Sequence, residues 1–246
     1  MKKENSGGLG ETIRTIIYAG LIAVLIRTVA YEPFNIPSAS MVPTLMVGDY
    51  LFVSKYSYGY SMHSLPFSLP LFQGRILDRP PARGDVAVFK LPRDNKTDYI
   101  KRIVGLPGDR IQVIGGVLQI NGEAVKRERL DDMIEYDRAG AATRMTRYRE
   151  TMPNGKSYIV VEMTDAGPLD NTSVYVVPAN HYFGMGDNRD NSLDSRVLTQ
   201  VGYIPSENLV GRAEIIFFSS DGSAHLWEVW KWPSAIRFSR LFDLIH

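Results

Sequence analysis

Two serines one residue apart, Ser38 and Ser40, stand between Pro37 and Pro43 in the stretch Pro37-Ser38-Ala39-Ser40-Met41-Val42-Pro43-Thr44-Leu45. Proline fixes its own φ and pushes the preceding residue toward extended geometry, so Ile36 and Val42 are expected to be extended. Side chains alternate along an extended chain, so the two hydroxyls are expected on one side. One hydroxyl beside another is a way to build an attacking atom together with part of an oxyanion hole. The plain alternative is a Ser/Pro-rich linker, and the nine residues alone favour it.

Composition narrows the chemistry. The 246-residue chain has a net charge of +1, which leaves no global field to attract nucleic acid or an acidic substrate. It contains no cysteine, which removes disulfides, thiolate metal sites and a Cys nucleophile. Its four histidines, His63, His181, His225 and His246, form no HExxH pair, and no G-x-S-x-G elbow is present. Gly155-Lys156-Ser157 ends like a P-loop, but Glu150 stands where the first glycine belongs. The acidic run Asp187–Asp194 lacks the ligand order of a calcium loop and contains Arg189, so it reads as a salt-bridged turn.

The elements that must hold these residues follow in order. Residues 1–14 are polar, with Lys2, Lys3 and Arg14, and residues 15–31 are apolar except for Arg27 and Thr28. This run is read as a membrane anchor. The alternatives are a buried core helix or a cleaved signal peptide, and Thr28-Val29-Ala30 is a poor small-x-small cleavage site. No Lys or Arg occurs between Arg27 and Lys55, so the N-terminus is placed in the cytoplasm and the remainder across the membrane.

Residues 32–125 read as the first part of a β domain. It includes the apolar loop Tyr56–Leu77, expected to pack on the core or meet lipid, and hairpin turns at Gly115-Gly116 and Asn121-Gly122. Residues 126–178 are charge-dense at first and read as an exposed inserted subdomain. Residues 179–246 complete the domain and end in a tail that carries Trp227, Trp230 and Trp232. Phe238, Leu241, Phe242 and Ile245 follow helical spacing, with Ser234 as N-cap, so a terminal or interfacial helix is expected. The fold class is mainly β: antiparallel sheets forming a compact domain with an inserted subdomain, behind one N-terminal transmembrane helix.

The Ser-x-Ser corner, the strand Tyr99-Ile100-Lys101-Arg102-Ile103-Val104-Gly105-Leu106-Pro107-Gly108-Asp109 and the turn Gly186–Arg196 occur together, with Gly48-Asp49 between the first two. In order and spacing these stretches resemble the bacterial type I signal peptidases, membrane-bound Ser/Lys proteases of the export pathway. Ala39 stands where glycine is more usual, and one span replaces the two of some members. The resemblance implies Ser40 as nucleophile, Lys101 as general base, and Ser38 with the Ser40 N–H as oxyanion hole. It further implies that Ser192 hydrogen-bonds Lys101, while Asp194 and Arg196 pair to hold the turn. Phe34, Ile36, Pro37, Met41, Leu45, Tyr99 and Ile100 are expected to line shallow substrate pockets.

The chemistry of those residues agrees. A lysine accepts a proton only when neutral, so its pKa of about 10.4 must fall by roughly 3 units, about 4 kcal/mol of destabilised ammonium. Burial between Tyr99-Ile100 and Ile103-Val104 would do this, whereas most strand lysines lie on exposed edges. Arg102 points to the opposite face, where it is free to meet solvent. The expected partners are preprotein signal peptides with small residues at the first and third positions before the cleaved bond, the lipid bilayer and the export translocon. No cofactor, no metal and no nucleic acid is expected, and the chain is expected to act as a monomer. Rival readings are a self-cleaving repressor, which needs a DNA-binding module that residues 1–31 do not supply, a peptidase of one dedicated secretion system, and a non-catalytic anchored β module.

Overall fold

The computed structural model describes residues 9–65, 68, 71–136, 142–225 and 227–246. Lys2 and Lys3 of the polar N-terminus, and residues 66, 67, 69 and 70 of the apolar loop, lie outside them. Helix α1 runs over Leu9–Val29, with Glu11 in its first turn and Arg27 in its last, charges that suit the helix dipole. Its apolar residues face outward all round: Ile16 is 66% exposed and Leu25 61%. A core helix would bury one stripe, so the buried-helix alternative fails. At 1.5 Å per residue its 21 residues reach about 31 Å, enough to cross a bilayer. Gly10–Val29 is long and apolar enough to serve as a membrane anchor.

The helix begins earlier than the apolar run suggested and stops two residues sooner. Pro33 supplies no N–H and favours extended neighbours, and Tyr31–Asn35 becomes strand β1 at a sheet edge, where proline is tolerated. Tyr31 packs edge-on against Phe52 and Tyr56.

Among the described residues the first half of the body comprises β2 (Asp49–Ser54), β3 (Tyr60–Ser61), β4 (Arg75–Ile76), β5 (Val86–Lys90), β6 (Asp98–Gly105), β7 (Arg110–Ile114), β8 (Val117–Ile120) and β9 (Glu123–Ala124). The second half comprises β10 (Lys126–Arg129), β11 (Met133–Tyr136), β12 (Ala142–Thr151), β13 (Ser157–Glu162), β14 (Tyr175–Val176), β15 (His181–Met185), β16 (Ile204–Pro205) and β17 (Leu209–Ser219). The main sheet is antiparallel, in the order β1-β2-β17-β5-β6-β15-β16. β6 therefore lies inside the sheet. The expected hairpin turns connect β7, β8 and β9, with Asn121 and Gly122 both at positive φ.

The region 126–178 differs from the expected exposed module. β10, β12, β11 and β13 do form their own sheet. Yet Met152, Tyr158 and Val160 are buried in the same core cluster as Val104, Ile111 and Phe183. The dense charges of Lys126–Arg149 suggested an exposed unit and gave no sign that β13, which follows them, turns Tyr158 and Val160 into the core. β14 pairs with β7, outside that sheet.

In the apolar loop, Tyr58 and His63 are buried while Leu71 and Leu77 are open. The tail forms no amphipathic helix. α2 covers only Trp232–Ala235, with Ser234 inside it, and Phe242 has φ 63°, which no helix accommodates. Instead the tail lies along β17 beyond the end of β5: Phe242 N donates to Ile216 O, Ile216 N to Asp243 O and Ile245 N to Glu214 O. β5 pairs with β17 only through Arg212, so the backbone groups after it need partners, and the tail supplies them.

Candidate active site

Beyond β1, Ile36 stays in the ladder: its N–H donates to Asp49 O, and its carbonyl accepts from Gly48 N, both at 2.9 Å. Residues 37–47 are thereby closed into a loop. The loop is wound rather than extended, with Val42 N donating to Ala39 O and Leu45 N to Met41 O. Winding lets Met41, Val42 and Leu45 turn inward, each fully buried. The serines remain at the mouth, with Ser38 Oγ 3.3 Å from Ser40 Oγ.

Lys101 reaches the same point from the interior of the sheet. Its Nζ lies 2.7 Å from Ser40 Oγ and donates to Ile100 O at 2.9 Å. The residue is 3% exposed, and burial brings its pKa down to about 8, against the pull of Asp194 and Asp187. Gly184 on the neighbouring strand makes the room: a Cβ there would sit 3.1 Å from Lys101 Cβ and 2.9 Å from Ile204 Cδ1.

Arg102 does not meet solvent; it is 1% exposed. Its Nε and Nη2 donate to Asp187 at 2.8 and 2.7 Å, its Nη1 donates to Gly84 O, and its guanidinium lies 4.0 Å from the centre of the Tyr158 ring. Both faces of β6 are covered, and β13 covers the second. Asp187 also accepts from Thr44 Oγ1 at 2.6 Å, which ties the serine loop to the same ion pair.

The turn after β15 grips the loop by its backbone. Asn188 N donates to Ser40 O at 3.1 Å, and Asn188 Nδ2 donates to Ala39 O. Asp194 and Arg196 pair as expected through two bonds of 2.9 Å, and Asp194 also accepts from Gly186 N. Burial opposes ionisation of Asp194, but Arg196 and the Gly186 N–H outweigh it and hold its carboxyl below the usual range. Arg189 is paired with Glu150 of β12, both fully buried.

The sequence profile described as Signal peptidase, peptidase S26, matches residues 9–218. Signal peptidase I of Rickettsia typhi is 40% identical over 242 residues, spanning 92% of this chain and 89% of the relative. That of Rickettsia conorii is 40% identical over 238 residues, 90% of this chain and 87% of its own. The chain belongs to the S26 signal peptidase family. Membership makes it a membrane-bound serine protease that removes signal peptides. A solved signal peptidase I from Enterococcus faecalis aligns with 55% of this chain and 97% of its own at 22% identity, with a TM-score of 0.32 that is too low to bear on the site.

A groove of about 410 Å³ is lined by Pro37, Ser38, Ser40, Tyr99, Ile100, Lys101 and Leu193. A narrow pocket of about 40 Å³, lined by Phe34, Ile36, Pro37, Val88, Tyr99 and Ile100, adjoins it. Met41 and Leu45 do not line either; they are packed beneath the loop with Leu51 and Val53. Ser192 is buried, but its Oγ makes no hydrogen bond to Lys101, which bonds Ile100 O instead. A separate cavity of about 460 Å³ lies behind Arg102 and contains neither Ser40 nor Lys101.

Sequence reasoning assigned no role to Thr44, Gly184, Asn188 or Glu150. Asn188 lies within the motif Gly186–Arg196 and was legible there. Thr44 and Glu150 act through partners more than thirty residues away, which no local pattern shows.

Proposed function

We propose that Ser40 is the nucleophile and Lys101 its general base in the hydrolysis of preproteins at the end of their signal peptides. Ser40 Oγ attacks the scissile carbonyl carbon while its proton passes to Lys101 Nζ. The Ser38 hydroxyl and the Ser40 N–H donate to the oxyanion. As the tetrahedral species collapses, the leaving amine takes the proton from Lys101. Water then releases the acyl group by the same route, with Lys101 again as base. A single observation carries this reading: a buried lysine whose nitrogen lies 2.7 Å from the serine hydroxyl.

Family membership implies small residues at the first and third positions before the cleaved bond, and the narrow pocket of about 40 Å³ beside Ile36 supports that reading. The catalytic domain lies outside the bacterial inner membrane and the N-terminus lies in the cytoplasm. This rests on Lys2 and Lys3 before the helix, Arg14 near its start, and the lack of Lys or Arg between Arg27 and Lys55. The chain is read as a monomer beside the export translocon, where preproteins emerge. The reaction uses no cofactor.

The test is cleavage of a purified preprotein with an Ala-x-Ala site by the detergent-solubilised full chain. Wild type cuts at that bond, and Ser40→Ala and Lys101→Ala each lose about 10²-fold or more while remaining folded. Wild-type rates in both variants would refute the assignment.

A further inference from the structure

The groove at Ser40 continues toward the anchor. Its neighbouring pocket shares Asp98, Tyr99 and Ile100 with it, and shares Phe34 and Asp98 with a third cavity of about 340 Å³. That cavity extends to Val24 and Arg27 at the end of α1 and is lined also by Glu32, His63, Lys90 and Val210. The three spaces thus adjoin one another through shared lining residues, in a row from the membrane end of the anchor to Ser40 and Lys101.

Strand geometry gives the row a scale. Glu32, Phe34 and Ile36 are the inward residues of β1 and its continuation, whereas Tyr31, Pro33 and Asn35 face outward. At about 3.4 Å per residue, Phe34 lies about 7 Å and Glu32 about 14 Å beyond Ile36. A peptide lying extended along this row sends alternate side chains the same way. With its third residue before the cleaved bond at Ile36, its fifth faces Phe34 and the third cavity. The direction follows from the bilayer: a signal peptide's apolar segment precedes the cleaved bond, so the residues before that bond come from the membrane side.

The lining defines what the cavity takes. Its two cation–anion pairs are internally satisfied: Lys90 with Asp98 at 2.8 Å, and Arg27 with Glu32 at 2.7 Å. His63 is 5% exposed, and its Nδ1 has no hydrogen-bond partner among the described residues. Burial holds the imidazole pKa below its ordinary value, so the ring is neutral. A buried, neutral, unpartnered ring nitrogen favours an uncharged hydrogen-bonding group and gains nothing from a charge.

We propose that this cavity is a binding site for the fifth substrate residue before the cleaved bond, and that His63 selects serine, threonine, asparagine or glutamine there. The proposal rests on the reading of Ser40 as nucleophile and extends its substrate specificity.

The test uses the full chain in detergent and peptides with alanine at the first and third positions. The fifth position carries Ala, Ser, Gln, Leu or Lys. For wild type, kcat/KM for Ser and Gln exceeds that for Leu by about 3–10-fold, the span of one hydrogen bond, and Lys is worst. In His63→Leu the Ser/Leu ratio falls to about one. Ratios taken within one variant are independent of the fraction that folds. Equal cleavage of all five peptides by wild type, or an unchanged Ser/Leu ratio in His63→Leu, overturns the proposal. So does a variant that keeps the ratio but binds phosphatidylglycerol vesicles less tightly than wild type, a result that would give the cavity to a lipid headgroup. Wild-type cleavage that survives Ser40→Ala would instead sink the underlying assignment.

Discussion

Arg102 and Asp187 hold each other through two hydrogen bonds of 2.8 and 2.7 Å, from positions adjoining both halves of the dyad. Arg102 follows Lys101 in β6, and Asp187 precedes Asn188, whose N–H donates to Ser40 O. Each side chain is 1% exposed. Removing one partner leaves the other as an uncompensated buried charge. Arg102→Met and Asp187→Asn are each expected to cost about 3–5 kcal/mol. The double variant should recover much of that loss, and a thermal-denaturation double-mutant cycle measures the coupling.

Lys101 should lower the stability of the fold. Its pKa in the folded chain, about 8, lies below the 10.5 of an unperturbed lysine. The unfolded state therefore binds more protons between those values, and stability rises with pH across that window. The destabilisation is full below pH 8 and gone above 10.5. Lys101→Met should be more stable than wild type by about 3 kcal/mol at pH 7, with the gap closing as pH rises toward 10.5. Denaturant midpoints across that range are the check; a gap that widens with pH would contradict it.

Gly186 has no room for a side chain. A Cβ there would stand 2.1 Å from Ser192 Oγ and 2.5 Å from Ser40 O. Gly186→Ala must displace the serine loop, and a misplacement of about 1 Å costs on the order of 10²-fold in rate. Turnover of a signal-peptide substrate should fall by about that factor, with a smaller change in KM.

The tail contributes Arg240, whose Nη2 donates to Thr44 O at 2.9 Å while the guanidinium pairs with the fully buried Asp49 at 2.5 Å. Arg240→Met leaves Asp49 with Ser219 Oγ and Met46 N as its donors. A loss of about 3 kcal/mol in stability is expected, relieved in part by adding Asp49→Asn. Thermal melts of the single and double variants decide it.

Much of the site was legible because its parts lie in three short motifs: the serine pair, Lys101 inside an apolar strand, and the Asp194–Arg196 turn. The strand pattern around β7 and β8 was equally plain. What escaped depends on partners distant in the chain. Arg102 looked free to meet solvent, because nothing local shows that Tyr158 covers that face of β6. The charges of 126–149 masked the burial of β13. The helical spacing of Phe238, Leu241, Phe242 and Ile245 was overridden by unpaired backbone on β17, a demand set by where β5 ends. Met41 and Leu45 were expected at the substrate surface, and winding of the loop turned them into the core.

The central claim is that a neutral lysine at position 101 activates Ser40, and the pH dependence of kcat/KM tests it most directly. For wild type on an Ala-x-Ala peptide, the rate should climb with an apparent pKa near 8, as Lys101 loses its proton. An ascending limb near 6.5, the range of a histidine, or a rate flat from pH 6 to 9, would contradict the account.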